Sequence, residues 1–440
     1  MARSRKKSGG GGSTNKKLPL NQSIPLGIQH VFAMFAGNIT VPLIVAGVFG
    51  VTTAEKIFLI QMALFAAGVA TIIQTVGYGK VGSRLPIIQG TSFAFIPIML
   101  PFKAFGLGAI FTAAFIGGIF QIWIGKMLKP IRHMFPPLVT GIVVLMIGIS
   151  LLKVGFKYAG GGVWLMNNKP EIFANWEHLL IAGTVLIVAL LCNLKGKGMV
   201  SAASILIGII AGFVMAALLG EIRWGKIAAA GWFAFPMPFQ YGIDFVWGAV
   251  ILMLFMSIVT TIETIGDISA TTMGGANREA TDKELSGGIM ADGVGTAFAS
   301  IFNAMPNTSY SQNAGLVAFT GVISRHVGTV AGVILILLGL FPKLGGIIAA
   351  MPDSVIGGAA IIMFGLIAGA GIKLISKSEM SQRNILILAL SLSFGIGLYA
   401  FPEFVAHIPD FGIKLKLLLT TGLIPAGLLA FVLNATLPKK

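Results

Sequence analysis

Apolar runs long enough to cross a hydrocarbon layer recur from Gly27 to Leu433, separated by Gly, Pro and short basic segments. Such runs cannot all be buried in one soluble core. Only 10% of the 440 residues are charged and 56% are hydrophobic, whereas roughly a quarter of a soluble domain is charged. An ordinary soluble enzyme is thereby excluded. The pattern predicts an all-α polytopic membrane protein with fourteen elements near 27–50, 55–77, 85–100, 105–128, 134–152, 178–194, 199–220, 243–268, 286–303, 308–323, 327–341, 354–374, 382–400 and 413–435.

Charge placement orients the chain. An even number of spans puts both termini on one side. If that side is the cytoplasm, it holds 21 of the 31 Lys and Arg, or 15 against 10 without the N-terminal tail. Residues 1–20, basic and rich in Gly and Ser, read as a disordered cytoplasmic tail with no apolar core of a cleavable signal. The net charge of +16 is spread through short loops without an aromatic platform, which points to positive-inside bias and not to nucleic acid. The single cysteine, Cys192, allows no internal disulfide or cysteine metal cluster and reads as helix packing. No metal-ligand cluster, phosphate loop or Ser/His/Asp constellation stands out, and the run at His133 reads as a loop entering the fifth element.

Two elements depart from simple spans. The third begins Gln89-Gly90-Thr91-Ser92 and the tenth Ser309-Tyr310-Ser311-Gln312-Asn313, each followed by only a few apolar turns. Polar, non-helical backbone at membrane depth is tolerated only where protein buries it or it lines a cavity. These elements lie seven apart, and Pro136-x-x-Val139-x-Gly141 echoes Pro352-x-x-Val355-x-Gly357. Seven is odd, so two such halves have opposite topology, and paired broken spans mark a transporter's midplane site.

Three carboxylates lie within apolar elements. Glu263 and Asp267 are i, i+4 on one helix face, and Asp292 sits among Gly287, Gly288, Gly293 and Gly295. Ionisable groups at that depth are costly and face a cavity or a partner. Asp267 and Asp292 could equally tie helices together by accepting bonds from Thr260, Thr261, Thr264, Thr271 or Thr272, whereas Glu263 is the favoured ligand contact. A carboxylate accepts from ring N–H groups, and a carboxamide such as Gln312 both donates and accepts, a pairing suited to the edge of a planar heterocycle. Phe93 and Phe95 offer stacking faces. His30, beside Gln29 in the first element, either packs or orients a carboxylate across the core.

Together these residues resemble the nucleobase–ascorbate transporter family, the second class of nucleobase:cation symporters. Gln312-Asn313-Ala314-Gly315 through Thr320-Gly321 matches the family signature. Gln29-His30, Gln89 to Phe93 and Glu263-x-x-x-Asp267 match its first-, third- and eighth-helix motifs, so the likeness spans about 25–435. The resemblance implies fourteen segments in a seven-plus-seven inverted repeat, with short antiparallel strands in segments 3 and 10. It implies a core domain over 25–128 and 243–341, a gate domain over 129–220 and 350–435, a homodimer, and an elevator-like movement. It also implies a proton as coupling ion, no other cofactor and no metal. By position, Glu263 and Gln312 would bind base edges, Ser311 and Ala94 would give backbone contacts, and Phe95 would stack. Asp267, Asp292, Asn313 and His30 would support the site or proton coupling.

Uracil permeases of this family usually carry His and Glu where Asp267 and Gln312 stand, so this set is similar to the purine branch handling xanthine and uric acid. Ala94 stands where xanthine-selective bacterial members have Asn, leaving room for the extra oxygen of urate. The resemblance thus implies import of xanthine and/or uric acid across a bacterial inner membrane. The alternatives are a broader carrier of guanine, hypoxanthine or uracil, or an anion transporter of the same fold.

Overall fold

The computed structural model describes residues 14–15, 17–127, 136–409 and 415–438. The expected tail over 1–20 and the loop at His133 fall largely outside these residues, except that helix already begins at Leu20. Helix α1 (Leu20–Phe49) ends at Gly50, whose φ of 70° reverses the chain, and Thr52 opens α2 (Thr53–Val76) with a capping box to Glu55. Strand β1 (Gln89–Thr91) follows, then short helical turns over Phe93–Phe105, and Gly106 at φ +78° makes the turn into α3 (Gly106–Lys126). Next come α4 (Pro137–Ala159), α5 (Trp176–Lys195), capped by Asn175, and α6 (Ser204–Leu218).

The second half repeats this order. Helix α7 (Trp247–Ala276) precedes α8 (Asp282–Ile301), which starts on a Thr281–Glu284 capping box. Strand β2 (Asn307–Ser309) leads into α9 (Ser311–Thr320), and α10 (Arg325–Gly339) is followed across a 76° bend by Pro342–Ala350. Helices α11 (Asp353–Ile375), α12 (Gln382–Ala400) and α13 (Leu423–Thr436) complete the order. Among the described residues eight helices are long and apolar enough to cross a membrane, with the bent pair giving a ninth.

Several boundaries differ from the sequence reading: α1 starts at Leu20 and not near 27, α4 runs to Ala159 and not to 152, and α13 starts at Leu423 and not near 413. The eighth element extends beyond 268 to Ala276. Ser269 and Thr272, past that point, return their hydroxyls to the carbonyls of Ile265 and Ser269, so a stretch of falling hydropathy stays helical. Glu263 and Asp267 therefore lie well inside a helix.

Glycines set the helix contacts. A methyl group at Gly332 would sit 2.9 Å from the Gly68 carbonyl oxygen, locking α10 against α2, and one at Gly293 would sit 2.6 Å from the Gly118 carbonyl, locking α8 against α3. Gly141, early in α4, faces Gly371 and Ile375 late in α11, while Gly357, early in α11, faces Tyr158 and Ala159 late in α4. The two glycines of the sequence echo thus do the same job at opposite ends of one antiparallel pair.

Candidate functional site

The strand pair sits where both broken segments meet. β1 and β2 are antiparallel, with Gln89 opposite Ser309, Gly90 opposite Thr308 and Thr91 opposite Asn307. Two strands leave two outer edges, and unpaired backbone at membrane depth is costly. Side chains close them. Thr71 of α2 accepts from Gln89 N (2.9 Å) and lies 3.4 Å from its carbonyl; Thr296 of α8 accepts from Asn307 N and donates to its carbonyl, both 3.1 Å. Pro42 in α1 lacks the N–H that would bond the Asn38 carbonyl, and the Thr91 hydroxyl takes that carbonyl at 2.7 Å. Asn38 Oδ1 accepts from Thr91 N at 2.8 Å, and the Tyr310 hydroxyl donates to the Thr91 carbonyl at 2.7 Å. Gly90 has no room for a side chain: a Cβ would lie 2.7 Å from Asn38 Oδ1 and 2.8 Å from the Tyr310 ring.

Each strand leads straight into a helical segment, β1 into the turns from Phe93 and β2 into α9 at Ser311, so the start of each segment lies beside the antiparallel pair. Free N–H groups and the helix dipole there favour electronegative ligand atoms.

The carboxylates divide into two tethered groups and one open group. Asp267 accepts from Ser309 and Ser311, each at 2.6 Å, and so fastens α7 to the junction of β2 and α9. Asp292, fully buried, accepts from the Gln89 amide and the Thr264 hydroxyl, with Gln74 Nε2 3.4 Å away. Gln74 in turn accepts from Ser83 N at 3.0 Å. Glu263 lies one turn from Asp267, is exposed, and among the described residues makes no hydrogen bond. Gln312, next to Ser311 at the start of α9, is exposed too.

His30 partners an amide and not a carboxylate, which corrects one of its two expected roles. Asn313 Nδ2 donates to the His30 carbonyl at 2.9 Å and lies 3.0 Å from its Nδ1, tying α1 to α9. Ala94 is buried and its N–H is 3.3 Å from the Ser92 hydroxyl. Phe95 is only 1% exposed and packs within the core, so in this conformation neither ring face is open for stacking. Phe93 is half-buried and meets Phe364 edge-on, with centroids 5.7 Å apart. Gln74 escaped the sequence reading, although an amide within the apolar α2 was a signal. Among the described residues no group of three or more His, Cys, Asp or Glu could hold a metal.

Comparison with known proteins identifies the family. Residues 21–404 match the Permease family, Xan_ur_permease. The xanthine permease XanP of Escherichia coli (strain K12) is 35% identical over 96% of this chain and 93% of its own length. The uric acid permease PucJ of Bacillus subtilis (strain 168) is 35% identical over 93% of this chain and 91% of its own. In structure, the transmembrane domain of the cyanobacterium bicarbonate transporter BicA is similar with a TM-score of 0.59 and 16% identity, covering 94% of this chain and all of that one. The murine Slc26a9 anion transporter, in its inward-facing state, gives 0.62 at 12% identity, covering 92% and 68%. At such identity these two likenesses show a shared transporter fold alone. The relatives and the family match, both spanning most of the sequence, place this multi-pass membrane protein in the Permease family, as a transporter and not an enzyme.

Proposed function

We propose that the chain is a proton-coupled permease importing xanthine and/or uric acid, working by an elevator-like movement. The carrying observation is the open Glu263 carboxylate, one turn from an Asp267 already satisfied by two serines. Glu263 is the acceptor left for ring N–H groups, and Gln312 supplies a donor and acceptor beside it. Ser311 and Ala94 add backbone contacts. Asp292, Asn313 and His30 support the junction, and either Glu263 or Asp267 carries the coupled proton, which lowers the charge of the moving core. In the state that stacks a purine, Phe95 must leave the packing seen here, while Phe93 is already partly open. A carboxylate in the open position disfavours the anion-transporter reading.

Fourteen segments in a seven-plus-seven inverted repeat are supported by the recurrence of contacts. The α2–α10 and α3–α8 pairs mirror each other, and so do Thr71 on Gln89 and Thr296 on Asn307. Dividing Phe93–Lys126 at Gly106 and adding Ser204–Leu218, Asp282–Ile301, Ser311–Thr320, Arg325–Gly339 and Leu423–Thr436 to the long helices gives that number. The core is taken as 25–128 with 243–341, and the gate as 129–220 with 350–435. Exposed apolar side chains on α5 and α12, such as Leu194 and Phe394, suit lipid or a second copy in a homodimer. Both termini face the cytoplasm of a bacterial inner membrane.

Radiolabelled uptake into cells lacking their own purine permeases, with competitors and a proton uncoupler, tests this. Saturable uptake of xanthine or urate that collapses with the uncoupler is expected, and Glu263→Gln abolishes it while reaching the membrane. No purine uptake refutes the function, and uptake indifferent to the uncoupler removes the coupling.

A further inference from the structure

A second polar space lies at the other end of α1. A cavity of about 700 Å3 opens where the end of α1 and start of α2 meet the ends of α4, α5 and α11, on the seam between core and gate. That volume is in the range of small-molecule sites. Lys56, Lys169, Arg223 and Lys226 line it, with Glu177, Glu221 and Asp353. Glu177 and Asp353 occupy the first turns of α5 and α11, where the helix dipoles offset their charge, and Glu177 also accepts from Asn175. No ion pair within 4.0 Å joins these cations and acids among the described residues. Burial, then the nearby charges of Lys56 and Arg223, lower the affinity of Lys226 for its proton against a smaller opposing effect from Asp353. Lys56, Arg223 and Lys226 thus line one cavity, and the Lys226 ammonium donates to the Ala349 carbonyl at 3.3 Å.

His178 also lines the cavity; it is 9% exposed, and its Nδ1 is turned into the protein, where it has no hydrogen-bond partner. A methyl group at Gly161 would lie 2.9 Å from its Nε2, so the glycine makes room for the ring. Tyr158, 1% exposed, forms part of the same wall and donates to the Ile44 carbonyl at 2.9 Å. Two turns of α1, about 12 Å, separate this wall from Asn38 and the strand pair.

We propose that this cavity is an outer holding site for a planar anionic purine, occupied before the substrate reaches the strand-pair site. The assignment rests on the function and orientation proposed above. Urate, an anion at neutral pH, meets the cations that line the cavity, and its flat ring lies against His178 and Trp164, which line it too. Tyr158 closes the way inward until the core moves, because its bond to α1 joins gate to core.

Kinetics of urate uptake test it. Lys56→Gln and Arg223→Gln raise KM for urate about three- to tenfold at low ionic strength, leave the maximal rate near wild type, and lose their effect in high salt. Glu221→Gln moves KM the other way, a sign reversal that a misfolded variant cannot mimic. Unchanged KM in all three, with an active wild type, overturns the holding site and leaves the transport function standing. No purine uptake by the wild type refutes the function itself and this ligand with it. Purified Glu263→Gln protein separates purine from any small anion. It retains weak urate binding that Arg223→Gln removes, whereas equal binding of inorganic phosphate overturns the purine assignment.

Discussion

The Asp267 tether is the link on which the strand-pair site depends, and removing it has a calculable effect. Its two hydrogen bonds, both 2.6 Å, are charge-assisted, a class worth about 1.5–3 kcal/mol each. Asp267→Ala does not cost their sum. Ser311 is exposed and turns to water, while Ser309, 2% exposed, is left without its acceptor, a penalty of about 1–3 kcal/mol. Relief from burying a charge offsets part of the loss. The net is about 1–2 kcal/mol, or about 5- to 30-fold weaker purine binding if the displaced junction is what the ligand needs. Asp267→Asn keeps an acceptor and loses only charge assistance, about fivefold, for about 1 kcal/mol. Equilibrium binding of labelled urate or xanthine to purified protein measures both. A double-mutant cycle with Ser311→Ala should give a coupling of about 1 kcal/mol. Wild-type affinity in Asp267→Ala, or strict additivity in the cycle, refutes the tether as the organiser of the site.

Ala94→Asn should shift uptake toward xanthine, and an unchanged urate-to-xanthine ratio refutes the selectivity argument. Thr296→Val leaves the outer edge of β2 unpaired, costing about 2–4 kcal/mol; Thr71→Val should cost a similar amount at β1 if the halves are equivalent. Thermal unfolding of the detergent-purified variants compares them, and a harmless Thr296→Val would mean that other groups close that edge. Gly332→Leu forces α10 off α2 by collision with Gly68 and should leave little monodisperse protein on size exclusion, whereas normal yield would show a slack interface.

Much of this was legible because membrane burial leaves a strong imprint on sequence. Apolar runs gave the helices, and the small polar starts at Gln89 and Ser309 gave both breaks, since such residues have no reason to face lipid. The Pro-x-x-Val-x-Gly echo pointed to paired positions that now prove to be mutual contact points of α4 and α11. Contacts between remote segments were illegible. Nothing local to Asn313 says that its partner is His30, and nothing near Thr296 says that it closes the edge of β2. The end of α7 was hidden because hydroxyls satisfied inside a helix lower hydropathy without ending it. Phe95, expected to stack, is buried here, and a ring's composition says nothing about which conformation uncovers it.

The closure of both strand edges carries a consequence for selectivity. With Thr71, Asn38 and Tyr310 holding the outer groups of Gln89 and Thr91, and Thr296 those of Asn307, the two helical halves are tied to one strand pair and shift together. A purine therefore meets one fixed pattern of donors and acceptors whichever side of the membrane it comes from. Recognition at the pair is then the same from either side, and in the transport cycle proposed above directionality has to come from the coupling ion and from the surrounding walls.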